Sequence, residues 1–371
     1  MMLIWGSVWM SVPTSSQPDR SASPIILERA DLMRTEQTEG GVVRYLDGSV
    51  KITQDTLAIL ADHAIYEEFI GRLIFTGNVH FIEPTRQIWA DQAMYYEKDG
   101  RATAEGNVRI EQDSLIMNCN RVVYSEDRHE ASFFGDVFIH SLRENAILTG
   151  NHGAYHRETD RAAMTQNPRM VRYFSSSDSM VITGNVIEYF FDWRQATVSD
   201  HVRIQRGDFD AMGELLHYSD DSSWARLIGD PEIHHKQDQV FADTVDAYFY
   251  DQHLRRILLS GNALATSPVD TLHPEPINRI CGKSMELLFA DDELDSIYVT
   301  GNARSTYYVR DPNAEKGANQ VSGDRMILHV ADGRIRWIFV EGGTEGIYCP
   351  ERLEKLVESE SDPPSGCRRN P

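Results

Sequence analysis

The residues of this chain that could do chemistry are few and scattered. His234 and His235 are adjacent histidines, a residue type that ligates metals, but neighbours on a β-strand point to opposite faces and cannot converge on one ion. The four cysteines, Cys119, Cys281, Cys349 and Cys367, show no CxxC or other metal-ligand spacing. Cys119 falls in a column of small residues and reads as a core thiol. Cys349 and Cys367 flank a polar stretch and could pair in an oxidising compartment. Carboxylates abound, yet they recur at turn positions instead of clustering, and there is no G-x-S-x-G, H-E-x-x-H or P-loop. The pattern is not that of an enzyme, and it calls for no metal and no cofactor. With 57 acidic against 36 basic residues, a formal charge of −21, the chain also lacks the basic face that nucleic acid requires.

What positions these residues is a tandem repeat of roughly 30 residues, the signature of stacked supersecondary units. Its clearest copies are FTGNVHF at 75–81, AEGNVRI at 104–110 and FFGDVFI at 133–139. Weaker copies are LDGSVKI, VSDHVRI, IGDPEI, LSGNALA and VTGNARS. A second element precedes the Gly-Asn of the middle copies by about 16 residues: a small residue, then Asp or Asn, then a tyrosine four positions further on. Ala61-Asp62 with Tyr66, Ala90-Asp91 with Tyr95, and Cys119-Asn120 with Tyr124 are examples. Polar clusters between the elements, such as Glu97-Lys98-Asp99-Gly100 and Glu111-Gln112-Asp113, read as hairpin tips.

Alternation assigns an inward face. Around each Gly-Asn the second and fourth residues on either side are apolar, as in Phe75, Val79 and Phe81, then Val108 and Ile110, then Phe133, Val137 and Ile139, then Val202 and Ile204. At the small-Asp element the phase slips by one residue, so that Ala93 and Tyr95, and Val122 and Tyr124, continue the same face. A one-residue slip marks a β-bulge there, with the small residue at the crease. Two creases per repeat predict an all-β, elongated solenoid of about ten repeats in which each long segment is divided between two facing sheets, with an apolar interior.

The first dozen residues, MMLIWGSVWMSV, are too short to span a bilayer and fit a signal-peptide core. The expected organisation is therefore a signal sequence and linker at 1–24, the repeat body at 25–348 and a polar, disordered tail at 349–371.

The serial G-N-V and A-D-x-A-x-Y motifs, the Asp-rich tips and the period together resemble the organic-solvent-tolerance-A-like family, which includes the lipopolysaccharide-bridge protein LptA and the N-terminal domain of LptD. The resemblance covers about 25–348. It implies a β-jellyroll, or twisted β-taco, that is periplasmic and shelters lipid A acyl chains on their way to the outer membrane. Its implied partners are lipopolysaccharide and other Lpt-type transport proteins, joined by end-to-end strand addition at edges near 25–32 and 336–341. Carried onto this chain, the resemblance makes the inward columns the groove lining. Two other readings remain open: a structural or surface β-solenoid with a dry, filled interior, and a parallel β-helix enzyme acting on polysaccharide.

Overall fold

The computed structural model describes residues 25–350 apart from 126, 144, 157, 191, 220–222, 251–252, 270–275, 291–292, 310–316 and 332–333. The expected signal sequence at 1–24 lies outside the described residues, and so does the tail from 351 onward. Among the described residues there are 26 strands and no helix. All described pairings are antiparallel, which removes the parallel β-helix from consideration.

The chain divides into two units, Met1–Ala196 and Thr197–Pro371. The first contains β1 (Ile26–Arg29), β2 (Leu32–Thr38), β3 (Gly41–Gln54), β4 (Leu57–Glu67), β5 (Arg72–Ile82), β6 (Arg86–Tyr96), β7 (Arg101–Gln112), β8 (Leu115–Ser125), β9 (Glu130–Ser141) and β10 (Ala146–His156). It continues with β11 (Arg161–Thr165), β12 (Arg169–Tyr173), β13 (Ser179–Thr183) and β14 (Val186–Phe190). The division falls inside β15 (Gln195–Arg206). The second unit goes on through β16 (Phe209–Ser219), β17 (Trp224–Ile228), β18 (Glu232–His235), β19 (Asp238–Phe241), β20 (Thr244–Tyr250) and β21 (His253–Pro268). It finishes with β22 (Ile277–Ala290), β23 (Glu293–Val309), β24 (Gly317–Ala331), β25 (Arg334–Glu341) and β26 (Glu345–Pro350).

In the first unit β3 to β10 form a meander in which each long strand pairs with the next along both of its halves. The ladder is interrupted once in every pair, at the two sequence elements. Between β5 and β6 the register passes from Thr76↔Gln92 to Val79↔Ala90, three residues on one strand against two on the other. The extra residue sits in the Gly-Asn strand, which corrects the expectation of a bulge in the small-Asp strand. The reason is conformational: Gly77 and Asn78 have φ of 74° and 47°, two successive left-handed residues that take up the additional length. The small-Asp strand makes the same corner with an odd step, and this is why its side-chain phase slips.

The crease is fastened from the side. Asn78 Nδ2 donates to Asp62 Oδ2 at 2.8 Å, and Asn107 Nδ2 to Asp91 Oδ2 at 2.9 Å, each across 16 residues of chain. In the second unit Asn262 donates to Asp243 Oδ1 at 3.1 Å, across a longer repeat. The fixed sequence offset is thus the spacing that brings these two side chains together. Close approach also explains the small residue. A Cβ built on Gly150 would lie 2.7 Å from Met164, and one on Gly282 would lie 2.5 Å from Val299. In the second unit β21 to β24 repeat the same long meander, with a register shift between Ser260 and Ala263 and between Thr300 and Ala303.

Candidate functional site

The inward face of the first unit is organised as cross-strand ladders that run perpendicular to the strands. One ladder lies just before the crease, where Ala64, Phe75, Ala93, Ala104, Val122 and Phe133 are successive Cα partners. All six are buried. A second lies beyond the crease, where Phe81, Ile88, Ile110, Met117, Ile139 and Leu148 are partnered in turn. At the crease itself each valine faces a small residue: Val79 opposite Ala90, Val108 opposite Cys119 and Val137 opposite Gly150. The three valines are 1% exposed. Alternating large and small residues lets neighbouring rows interdigitate instead of colliding.

The two halves of a strand face one another across this interior. Phe75 and Phe81 belong to the same strand, β5, and lie on either side of its crease, yet their rings meet edge to face at 6.2 Å. Cys119, at the next crease but one, is buried as a core thiol, and burial pushes its pKa up to about 11.

Burial is not uniform along the unit. On the lip formed by the first halves, Tyr66, Leu73, Tyr95, Ala102, Tyr124, Ala131, Tyr155, Ala162 and Tyr189 form one ladder. Tyr95 is 37% exposed, whereas Tyr155 and Tyr189 are buried. The opposite lip follows the same trend: Leu57 and Arg86 are half-buried, while Leu115, Ser141 and Ala146 are buried. The margin is therefore more exposed at the repeats carrying Tyr66 and Tyr95 than at those carrying Tyr155 and Tyr189, while Phe75, Val79 and Ala93 beneath it are buried. Burial, followed by the charges of Glu97 and Glu68, raises the Tyr66 phenol above its ordinary pKa. The Tyr155 hydroxyl donates to Asp160 Oδ1 at 2.8 Å within the closed part.

Of the residues singled out as lining, Phe75, Val79, Ala93, Val108, Ile110, Val122, Phe133, Val137 and Ile139 are buried on this face. Phe81 and Tyr124 are half-buried at its margin, beside the exposed Tyr95. Val202 and Ile204 lie in the second unit, where Val202 is buried and Ile204 half-buried. One residue was misassigned by its composition. Gln112, grouped with Glu111 and Asp113 as a tip, is the last residue of β7 and only 5% exposed. The alternation from Ile110 would have flagged it, but its polarity and the neighbouring aspartate spoke for a turn.

The chemically suggestive residues find ordinary partners. His234 shares a 2.7 Å hydrogen bond with Glu232, and the exposed His235 belongs to the opposite face. Cys349 carries a free thiol and, with Pro350, ends β26, and Cys367, its expected partner, lies outside the described residues.

Comparison with known proteins bears on part of this stretch, beginning beyond Phe81. Residues 87–253 match the family described as LptA/(LptD N-terminal domain) LPS transport protein. No curated protein matches the chain. Among solved structures, LptH, the LptA homologous periplasmic component of the lipopolysaccharide transport device from Pseudomonas aeruginosa, is similar at 17% identity, covering 36% of this chain and 75% of that one. Its TM-score of 0.19 is too low to bear on the fold, which rests on the strand pairings above. Over residues 87–253, a little under half of its length, the chain is thus similar to the LptA/LptD N-terminal family of lipopolysaccharide transport proteins.

Proposed function

We propose that this chain is a periplasmic carrier that shelters the acyl chains of lipopolysaccharide in the apolar interior of its first unit. The observation that carries this reading is the pair of apolar ladders through Phe75 and Phe81, which face one another across the crease beneath a margin at Tyr66, Phe81 and Tyr95 that is less buried than the rest of the unit. Burying a methylene gains about 0.8 kcal/mol, so a chain of about a dozen carbons offers roughly 10 kcal/mol before ordering costs are subtracted. That gradient is enough to hold an acyl chain out of water, and it is passive. Movement in one direction requires an energised partner.

A filled interior has its own support further along. Phe133, Ile139 and Met164 are fully buried, so the repeats around them act as a packed spine while the repeats with the less buried margin take the ligand.

Partner docking is assigned to the end strands. Among the described pairings β1 and β2 pair only with β3, and β25 and β26 only with β24. Exposed Ile26, Leu32 and Met33 at one end and Phe339 and Ile347 at the other suit strand addition by Lpt-type proteins.

A photo-crosslinking amino acid at Phe81 tests the carrier reading in the intact chain. Lipopolysaccharide adducts should form there and not at the exposed Asn107 on the crease. Equal labelling at both sites, or none at Phe81, would sink the proposal.

A further inference from the structure

The inward row farthest from the creases on the second halves includes polar residues where the apolar pattern predicts hydrocarbon. Along it Arg86 is the Cα partner of Gln112, and Gln112 of Leu115, with Ser141 next. Arg86 is ion-paired with Glu83 at 2.7 Å, the two side chains being 15% and 24% exposed. Gln112 is more deeply placed, and its Oε1 is buried with no hydrogen-bond donor among the described residues. Its neighbours on the strand alternation, Ile110 and Val108, are buried in the apolar ladders. A carboxamide oxygen in that position forfeits its solvation without recovering a bond, which costs about 1–3 kcal/mol. An apolar residue there would avoid that loss.

The row also marks the transition in burial. Arg86 is half-buried, with the exposed Tyr95 on the opposite lip, while Leu115 and Ser141 are buried. Gln112 thus sits where a ligand would change from hydrocarbon inside to polar head outside. Resting on the acyl-sheltering reading, we infer that Gln112 is a specificity residue whose Oε1 accepts a hydrogen bond from an O–H or N–H carried close to the root of an acyl chain. The ligand class is an amphiphile with hydroxylated or amide-linked chains, in preference to a plain fatty acyl chain. The Glu83–Arg86 ion pair flanks the subsite.

The experiment uses the full chain and two fluorescent probes, a 12-carbon acyl chain and its 3-hydroxy counterpart, titrated against wild type, Gln112→Leu and Gln112→Glu. Wild type should bind the hydroxylated probe about 5- to 10-fold more tightly, the size of one net hydrogen bond. Gln112→Leu should bring that preference to unity while leaving the plain probe within about twofold, and Gln112→Glu, which keeps an acceptor, should retain a preference. Thermal unfolding of Gln112→Leu at or above the wild-type temperature shows that the variant folds. A wild type that binds both probes equally, or a Gln112→Leu variant that keeps the preference, overturns the subsite and leaves the carrier reading standing. Failure of wild type to bind either probe overturns both.

Discussion

Phe75 and Phe81 are six residues apart on one strand and their rings are 6.2 Å apart, at an interplanar angle of 78°. An extended strand would separate them by about 20 Å. What brings them together is centred on Gly77 and Asn78, two of the five residues between, and on the Asp62 carboxylate that accepts from the Asn78 side chain. The apolar interior is a consequence of the crease, and the crease is a local feature of sequence repeated along the chain.

Glycine at the crease should therefore be the least replaceable residue of the repeat. Gly106 has φ of +78°, and a Cβ there would come within 2.3 Å of Asp91 Oδ2 and 2.8 Å of Asp91 Cβ. Gly106→Ala is expected to cost about 2 kcal/mol or more, combining backbone strain with the clash. At roughly 2–4 °C per kcal/mol for a unit of this size, the melting temperature should fall by about 4–8 °C. Gly207 has φ of +55° with no atom within 4 Å, so Gly207→Ala carries strain alone and should cost about half as much. Equal losses in calorimetry would show that the aspartate contact is irrelevant.

The ladders predict a gradient of sensitivity along the first unit. Phe133 is 0% exposed and Phe81 is half-buried on the same inward face. Phe133→Ala should destabilise by about 3–5 kcal/mol in urea unfolding. Phe81→Ala should cost visibly less and should instead weaken acyl-probe binding. If the two substitutions were equally destabilising, the margin and the packed interior would not be distinct.

Much of this was legible in the residues themselves. Period-two alternation around Val79, Val108 and Val137 identified the inward face, and the fixed offset from Asp62 to Asn78 located the creases. The side of the bulge was not legible, because alternation records phase and not which strand holds the extra residue. That needed the backbone of Gly77 and Asn78. Nor could the residues around Gln112 be read correctly: a polar side chain beside an aspartate is ordinary turn composition, and only its burial reveals that it points inward. The variation in burial from Tyr95 to Tyr189 was invisible for a related reason, since both tyrosines occupy the same column of the repeat and differ only in what covers them.

Cys119 and Cys349 offer a chemical check on the interior. Burial holds the Cys119 pKa at about 11, so at pH 8 only about one thiol in a thousand is ionised. Cys349 is free and partly accessible near the end of β26. Iodoacetamide on the native protein should modify Cys349 within minutes and leave Cys119 untouched until denaturant is added, as read by peptide mass spectrometry. Rapid labelling of Cys119 in the native state would show that the interior opens at that crease.

The closed part of the unit should carry its own pH dependence through Asp160. Burial raises its pKa above the ordinary aspartate value of 3.8, with the Tyr155 hydroxyl acting in the opposite direction and the Asp192 charge adding to the rise. An acid whose folded pKa is raised binds its proton more tightly in the native state than in the unfolded chain. Its contribution is present in full below the unfolded value of about 3.9 and is lost as pH climbs through the higher folded value. Asp160→Asn, neutral at every pH, removes that term. Comparing urea unfolding of wild type and Asp160→Asn from pH 3.5 upward, the difference between them should shift in favour of the variant as pH rises, then level off. Tyr155→Phe deletes the one hydroxyl that favours the charged carboxylate, so it should steepen the wild-type loss over the same range and destabilise most at neutral pH. A pH-independent difference for both variants would mean that Asp160 titrates in the folded protein as it does in the unfolded chain, and that the closure around Tyr155 imposes no desolvation on it.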